Sequence, residues 1–394
     1  MLYKQTAAVF IVLMFLLPIF AFGFVDSDFS EMENRVLQTM PQLALNSVIE
    51  GRYMQEMTSY VQDQFWQRPN WVNLKNSIDL ALGRRDIGGT YIGPGGSYIE
   101  KRPQIDPDRF KRNLQTVTEF SEWSSSLGIE NYFLGVPSTH TIYPERLPKY
   151  AVVSDEAALR DSFLDTEANF TYVDAIPPGF TGDIESIDRV FGQYYTYYLA
   201  GYLDLNLYFH TDHHWTAYGA YVGYASLMEA MGIERKELED ISYRTDLPNF
   251  RGSLHSRAPH FNAVADVFTI FDDKTVRIQI RYREDDMPQP TLIVWNHMFR
   301  KDKYPAFLGG VQPQIRIHTD TDNGRRLLIL KDSFAHPLAE YLVTHFEAIY
   351  LLDLRYFNAS VQEYVLNHDI TDILFCYNLS WFAADSRIDA LLLD

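Results

Sequence analysis

Residues Phe209 to Tyr221 read FHTDHHWTAYGAY, which sets His210, Asp212, His213 and His214 within five positions, just ahead of Trp215. Three readings fit that cluster. Imidazole nitrogens with a carboxylate oxygen suit zinc or a similar divalent ion. A histidine beside an aspartate is also the base and orienting group of a serine-dependent acyl-transfer site. The third reading is a solvated loop. If TDHHW is extended, its side chains alternate, so Asp212 and His214 share a side and His213 points away. No H-E-x-x-H motif accompanies the cluster. Spacing alone leaves the dyad, the metal site and the loop open.

A dyad needs a nucleophile. Ser333 follows the apolar run Leu327 to Leu330 and precedes the helical-looking HPLAEYLVTHF. A serine at such a strand-to-helix turn is held at the top of a sheet, where its own backbone N–H can stabilise an oxyanion. Lys331 and Ala335 stand where a G-x-S-x-G elbow has glycines. The bland alternative is an ordinary helix cap. The ends of the three last apolar runs carry Asp332-Ser333, Asp353 with Arg355, and Asn378.

The elements that must position these residues follow from periodicity. From about residue 105, DRFKRNLQTVTEFSEWSSSLG, DEAALRDSFLDTEA and TAYGAYVGYASLMEAMG read as helices, alternating with strands in ENYFLGVPS and FTYVDAI. RRLLILKDSFAH, EAIYLLDLRYF and TDILFCYNLSWF continue the alternation. The pattern predicts an α/β chain with a mostly parallel sheet, helices on both faces and a ligand edge at the strands' carboxyl ends. Residues from about 240 to 320 interrupt it with a β-rich insertion, in which ADVFTIFDDKTVRIQIRYRE and QPTLIVWNHMF read as strands. Residues 26–104 read as one or two amphipathic helices followed by a hairpin at YIGPGGSYIE, and residues 105–394 as the main domain.

Composition narrows the setting. The chain has 394 residues and a net charge of −18, which repels phosphate backbones and argues against nucleic acid. Cys376 is the sole cysteine, so neither an internal disulfide framework nor a cysteine zinc site is expected. Aromatic residues reach 15%, which suits a sugar-binding surface as well as a core. Residues 1–25 read as a signal peptide or membrane anchor. Thr6 to Val25 is uncharged and about long enough to cross a bilayer, while Ala21 and Gly23 are small residues suited to a cleavage site. Both readings place the remainder outside the cytoplasmic membrane; a buried core helix is the alternative.

TDHHWT followed downstream by LILKDSFAHP resembles the bacterial DHHW protein family and the alginate O-acetylation proteins of the AlgX and AlgJ type. ENR at 33–35, DQFWQR at 63–68, YIGPGG at 91–96, VPSTHTIYPERLP at 136–148 and DLRYF extend the resemblance along the chain. It implies a three-layer α/β/α SGNH-hydrolase-like sandwich with a permuted order, because Asp212 and His214 precede Ser333. It also implies Ser333 as nucleophile, His214 as general base and Asp212 as its orienter. Asn378 becomes the candidate oxyanion donor by strand order, Arg355 and Tyr356 line the cleft, and His213 and Trp215 support the loop. No cofactor is expected. The implied activity is an O-acetyltransferase or acetylesterase acting on a surface or exported polysaccharide with an acyl donor. Two other functions fit the same residues: a non-catalytic envelope glycan-binding or scaffold protein with a remnant site, and a metal-dependent phosphoesterase.

Overall fold

The computed structural model describes residues 26–102, 104–180, 190, 206–241, 243–283 and 285–392. The run Thr6 to Val25, with its reading as anchor or signal, lies outside them. Among the described residues no helix is long and apolar enough to cross a membrane. The chain divides into two compact units. One draws on Met1–Gly88 and His255–Ala263, the other on Gly89–Leu254 and Val264–Asp394.

The smaller unit holds three helical pieces, Leu45–Ile49, Arg52–Gln64 and Arg68–Ala81. Gly51 separates the first two with φ 75°, a left-handed conformation that glycine adopts without cost. Gln67, also left-handed, and Pro69 in the first turn of the next helix set the second break. A two-residue antiparallel pairing joins Phe29–Ser30 to Arg35–Val36. Arg35 bonds Glu33 at 2.7 Å and Asp63 at 2.9 Å, which ties that pairing to the helix Arg52–Gln64.

The larger unit is built on one seven-stranded sheet. Its strands are β1 (Glu130–Val136), β2 (Thr171–Asp174), β3 (Ile278–Arg281), β4 (Gln314–Thr319), β5 (Arg326–Lys331), β6 (Ala348–Leu352) and β7 (Asp372–Asn378). They lie in the order β3-β4-β6-β5-β7-β1-β2. The five from β6 to β2 are parallel, and β3 and β4 extend the sheet antiparallel. Side chains of β5 alternate between faces. Leu327 and Ile329 enter one core beneath the helices Ala217–Met231 and Ala335–Leu342. Leu328 and Leu330 enter the other, beneath Pro107–Ser126 and Glu156–Leu164. All four are completely buried, so each contributes about 1.5–3 kcal/mol through removal from water. This is the α/β/α sandwich expected of an SGNH-hydrolase-like chain.

The insertion divides its labour. Ile278–Arg281 lengthens the main sheet as β3, while Tyr243–Phe250 and Asp266–Asp272 form a separate antiparallel pair. QPTLIVWNHMF is not a strand. Trp295–Phe299 is a short 3-10 helix, and Ile293 makes only an isolated bridge to Phe307. The apolar content that suggested a strand goes instead into packing, with Leu292, Ile293 and Met298 buried. The hairpin at YIGPGGSYIE is present, with Thr90–Ile92 paired to Tyr98–Glu100.

Candidate active site

Asp212, His214 and Ser333 form one continuous hydrogen-bonded chain. His214 Nδ1 lies 2.6 Å from Asp212 Oδ1, and His214 Nε2 lies 2.7 Å from Ser333 Oγ. A carboxylate oxygen can only accept, so Nδ1 carries the proton and Nε2 is the acceptor facing the serine hydroxyl. Asp212 is also held by the backbone N–H groups of His214 (3.0 Å) and Ser253 (2.6 Å). Burial works to raise its pKa, but His214, His213 and these donors hold it far below the usual carboxylate range. Asp212 is therefore a fixed negative charge beneath the imidazole.

The loop carrying the pair is clamped on several sides. Tyr208 bridges Trp215, which closes residues 209–214 into a tight turn. The backbone N–H groups of His210 and Thr211 both donate to the Asp266 carboxylate, at 2.7 and 2.9 Å. Tyr98 N–H from the hairpin donates to the His210 carbonyl at 2.7 Å. Gly252 supplies a close approach that no other residue allows, since a Cβ there would sit 2.3 Å from Asp212 Oδ2.

The turn overturns the extended reading of TDHHW. His213 does not point away from His214. The two rings lie 3.8 Å apart at 37°, and His213 Nδ1 is 3.5 Å from Asp212 Oδ1. Bent backbone brings consecutive side chains together where an extended strand would part them. His213 Nδ1 pairs with Ser253 Oγ at 3.0 Å. Burial first, and then the neighbouring His214, push its pKa down to about 4, so it is neutral at pH 7. Its place beside the dyad is to brace Ser253, whose N–H holds Asp212.

Ser333 sits two residues before the helix Ala335–Leu342 and is part-exposed, while Asp332 and Phe334 on either side are buried. Asp332 fixes the turn, accepting from Phe334 N–H at 2.9 Å and Asn378 N–H at 2.8 Å. Trp215 reaches across from the histidine loop, its Nε1–H donating to the Phe334 carbonyl at 3.0 Å. One buried indole thus ties the segment bearing His214 to the segment bearing Ser333.

The remaining candidates divide. The Asn378 side chain is committed elsewhere: its Nδ2 donates to the Val136 carbonyl and Ser138 Oγ at 3.0 and 3.1 Å, and its Oδ1 caps the helix Leu379–Ala384 through Trp381 N–H. That corrects the oxyanion assignment, which rested on strand order alone. Arg355 is a bidentate partner of Asp353, at 2.8 and 2.7 Å, and Asp353 also bonds the buried Lys331 at 3.3 Å. Tyr356 is half exposed. His210 turns to the hairpin, where its Nδ1 meets Ser97 Oγ at 2.9 Å. Asp212, His213 and His214 alone form a group able to hold a metal ion among the described residues, but both His214 nitrogens already have partners.

Two features of the site had no sequence signal. Tyr304, inside the insertion, lies flat on His214 with ring centroids 3.7 Å apart at 10°, and its hydroxyl donates to the Ser333 carbonyl at 3.0 Å. Glu156 is buried among hydroxyls, accepting from Ser138 Oγ, Thr141 Oγ1 and Ser380 Oγ at 2.6, 2.6 and 2.5 Å. It knits VPSTHT to the segment after β7, at the same sheet edge as Ser333. Nothing marked that tyrosine or that glutamate among many.

The DHHW protein family model matches residues 183–352 of this chain, the stretch that carries Asp212, His214 and Ser333. A solved DHHW family protein from Eubacterium siraeum aligns at 20% identity and TM-score 0.59, over 77% of this chain and 95% of that one. Bacillus cereus PatB1 aligns at 20% identity and TM-score 0.57, over 73% and 95%, and has also been solved with a sulfonyl adduct. The O-acetyltransferase domain of Pseudomonas putida AlgJ aligns more loosely, at 13% identity and TM-score 0.45, over 75% and 93%. No curated protein matches. The resemblance to the DHHW family read from the sequence is borne out.

Proposed function

We propose that this chain, which matches the DHHW family over residues 183–352, is an extracytoplasmic serine-dependent acyl transferase or esterase acting on a surface or exported polysaccharide. The observation that carries the reading is the unbroken chain from Asp212 through His214 to Ser333, with bonds of 2.6 and 2.7 Å. Ser333 Oγ attacks the acyl carbon of an ester while its proton passes to His214 Nε2. Asp212 stabilises the imidazolium that forms. The tetrahedral adduct collapses, the C–O bond to the leaving alcohol breaks, and that alcohol takes the proton from His214. Water or a sugar hydroxyl then attacks the acyl-serine with His214 again as base, which restores Ser333. Water as acceptor gives an esterase, and a sugar gives an O-acetyltransferase. The uncharged run Thr6 to Val25 supports the location.

The test is turnover of a chromogenic acetyl ester together with labelling by a fluorophosphonate, which reacts with activated serines. Wild type should label at Ser333, and Ser333→Ala should not. A folded wild type that neither turns over esters nor labels would point instead to a scaffold with a remnant site. Activity lost to a chelator and restored by zinc would point to the metal reading of the histidine cluster.

A further inference from the structure

One helix of the smaller unit turns polar residues inward and apolar ones outward. The helix Arg68–Ala81 buries Asn73 and Asn76, and Asn76 Nδ2 donates to the Pro259 carbonyl at 2.9 Å within the same unit. Its opposite face shows Trp71, Leu74 and Ile78 at 50, 40 and 49% exposure, spaced three and four residues apart. Those spacings set all three on one stripe of a helix. Phe65 and Trp66, in the bend just before it, are exposed as well, at 41 and 52%. An apolar stripe over a polar underside, with a second exposed tryptophan close by in the chain, suits an apolar partner.

The position of the leader's exit identifies that partner. Ser27 is pinned to the end of the helix Arg52–Gln64, with Ser27 N–H donating to Gln64 Oε1 at 3.2 Å and Gln64 Nε2 donating to the Ser27 carbonyl at 2.9 Å. Gln64 is followed directly by Phe65 and Trp66. The apolar run ends at Val25, two residues before Ser27. If that run is held in a bilayer, Ser27 is at the membrane surface and the exposed aromatic pair is there with it. Tryptophan is favoured at that depth, where an apolar ring meets polar headgroups.

We propose that Phe65, Trp66 and the stripe Trp71, Leu74 and Ile78 form a membrane-contact surface that seats in the headgroup boundary of the bilayer. The inference rests on the extracytoplasmic, leader-bearing reading above, and reaches past it to how the chain lies against the lipid. The surface works as a second, non-spanning anchor and limits the ways in which the first unit can turn.

The sequence makes this directly measurable, because the first tryptophan in the chain is Trp66 and the leader has none. The full-length chain is reconstituted into phosphatidylcholine vesicles, with and without phosphatidylglycerol, carrying brominated acyl chains that quench tryptophan on contact. Intact mass reports whether the leader is retained. The expected result is quenched emission that Trp66→Phe/Trp71→Phe largely abolishes, leaving flotation with the vesicles and circular dichroism unchanged. Quenching absent, or equal in the double variant, overturns the surface. If mass shows the leader removed, the anchored topology fails on its own; the released protein is then added to the same vesicles, where quenching that depends on Trp66 and Trp71 upholds the surface and its absence overturns it.

Discussion

At the scale of single residues, the site separates groups by what they touch. Ser333→Ala should lower ester turnover by about 10⁴-fold or more, and His214→Ala should match it. The double variant should be little worse than either, because residues of one catalytic unit are strongly non-additive. Asp212→Asn should lose on the order of 10⁴-fold, since an amide favours the wrong tautomer and cannot stabilise the imidazolium. His213→Ala should lose less than these but more than a distant residue, because its ring packs on His214 and it braces Ser253. Steady-state turnover on one acetyl ester, with circular dichroism to confirm folding, ranks all of them. Tyr304 adds a sharper contrast. A π face over an imidazolium contributes about 0.5–2 kcal/mol, so Tyr304→Leu should reduce kcat by up to about 30-fold. Tyr304→Phe keeps the ring, loses only the bond to the Ser333 carbonyl, and should recover much of that loss. Equal kcat in the two variants would show that stacking on His214 does nothing.

Elements matter here because His214 and Ser333 are 119 residues apart in the chain and are held together from more than one side, by Trp215 and by Tyr304. Trp215 is completely buried and its indole N–H satisfies the Phe334 carbonyl. Trp215→Phe removes that hydrogen bond, a cost of about 0.5–1.5 kcal/mol, and leaves space where the larger indole packed. Urea unfolding should show the lower stability, and turnover should fall with it as the His214–Ser333 distance loosens. Gly252→Ala is the complementary test. Its new methyl would collide with the Asp212 carboxylate, so activity should fall sharply with global stability changed much less. Activity near wild type would mean that the loop around Asp212 can give way. The insertion, for its part, delivers Tyr304 over His214 as well as widening the sheet.

At the scale of the whole molecule, burial holds several acids above their ordinary pKa even as Asp212 is held below it. Asp266, which braces the histidine loop, has its pKa pushed up to about 6, chiefly by burial, against the hydrogen bonds from Thr211 and His210. Burial likewise raises Asp332 and Glu340. The sign follows from proton counting. Between about pH 4 and 6 the folded protein holds the Asp266 proton longer than the unfolded chain does, so this group's contribution to stability is present at low pH and is lost as pH rises through 6. Two pKa units amount to roughly 3 kcal/mol. Unfolding free energies measured from pH 4 to 7 should therefore fall less steeply for Asp266→Asn than for wild type. Parallel slopes would show that Asp266 titrates normally in the folded state.

Much of this protein is written locally. Runs such as LLIL and ILFCY are short and continuously apolar, which favours buried strands, and their alternation with helices favours parallel pairing with Asp332, Asp353 and Asn378 at one sheet edge. Side-chain chemistry alone marks Asp212, His214 and Ser333 as a possible unit, and the order of their motifs carries the family resemblance. Tertiary structure decided the rest, because the rest depends on contacts between residues far apart in the chain. Whether His213 faces away from His214 turns on backbone curvature, which the Tyr208–Trp215 bridge imposes. Whether Asn378 is free to donate depends on Val136 and Ser138, some 240 residues earlier. Tyr304 becomes part of the site only because the insertion folds back over the histidine, and no local pattern encodes a ring's meeting with a ring 90 residues away.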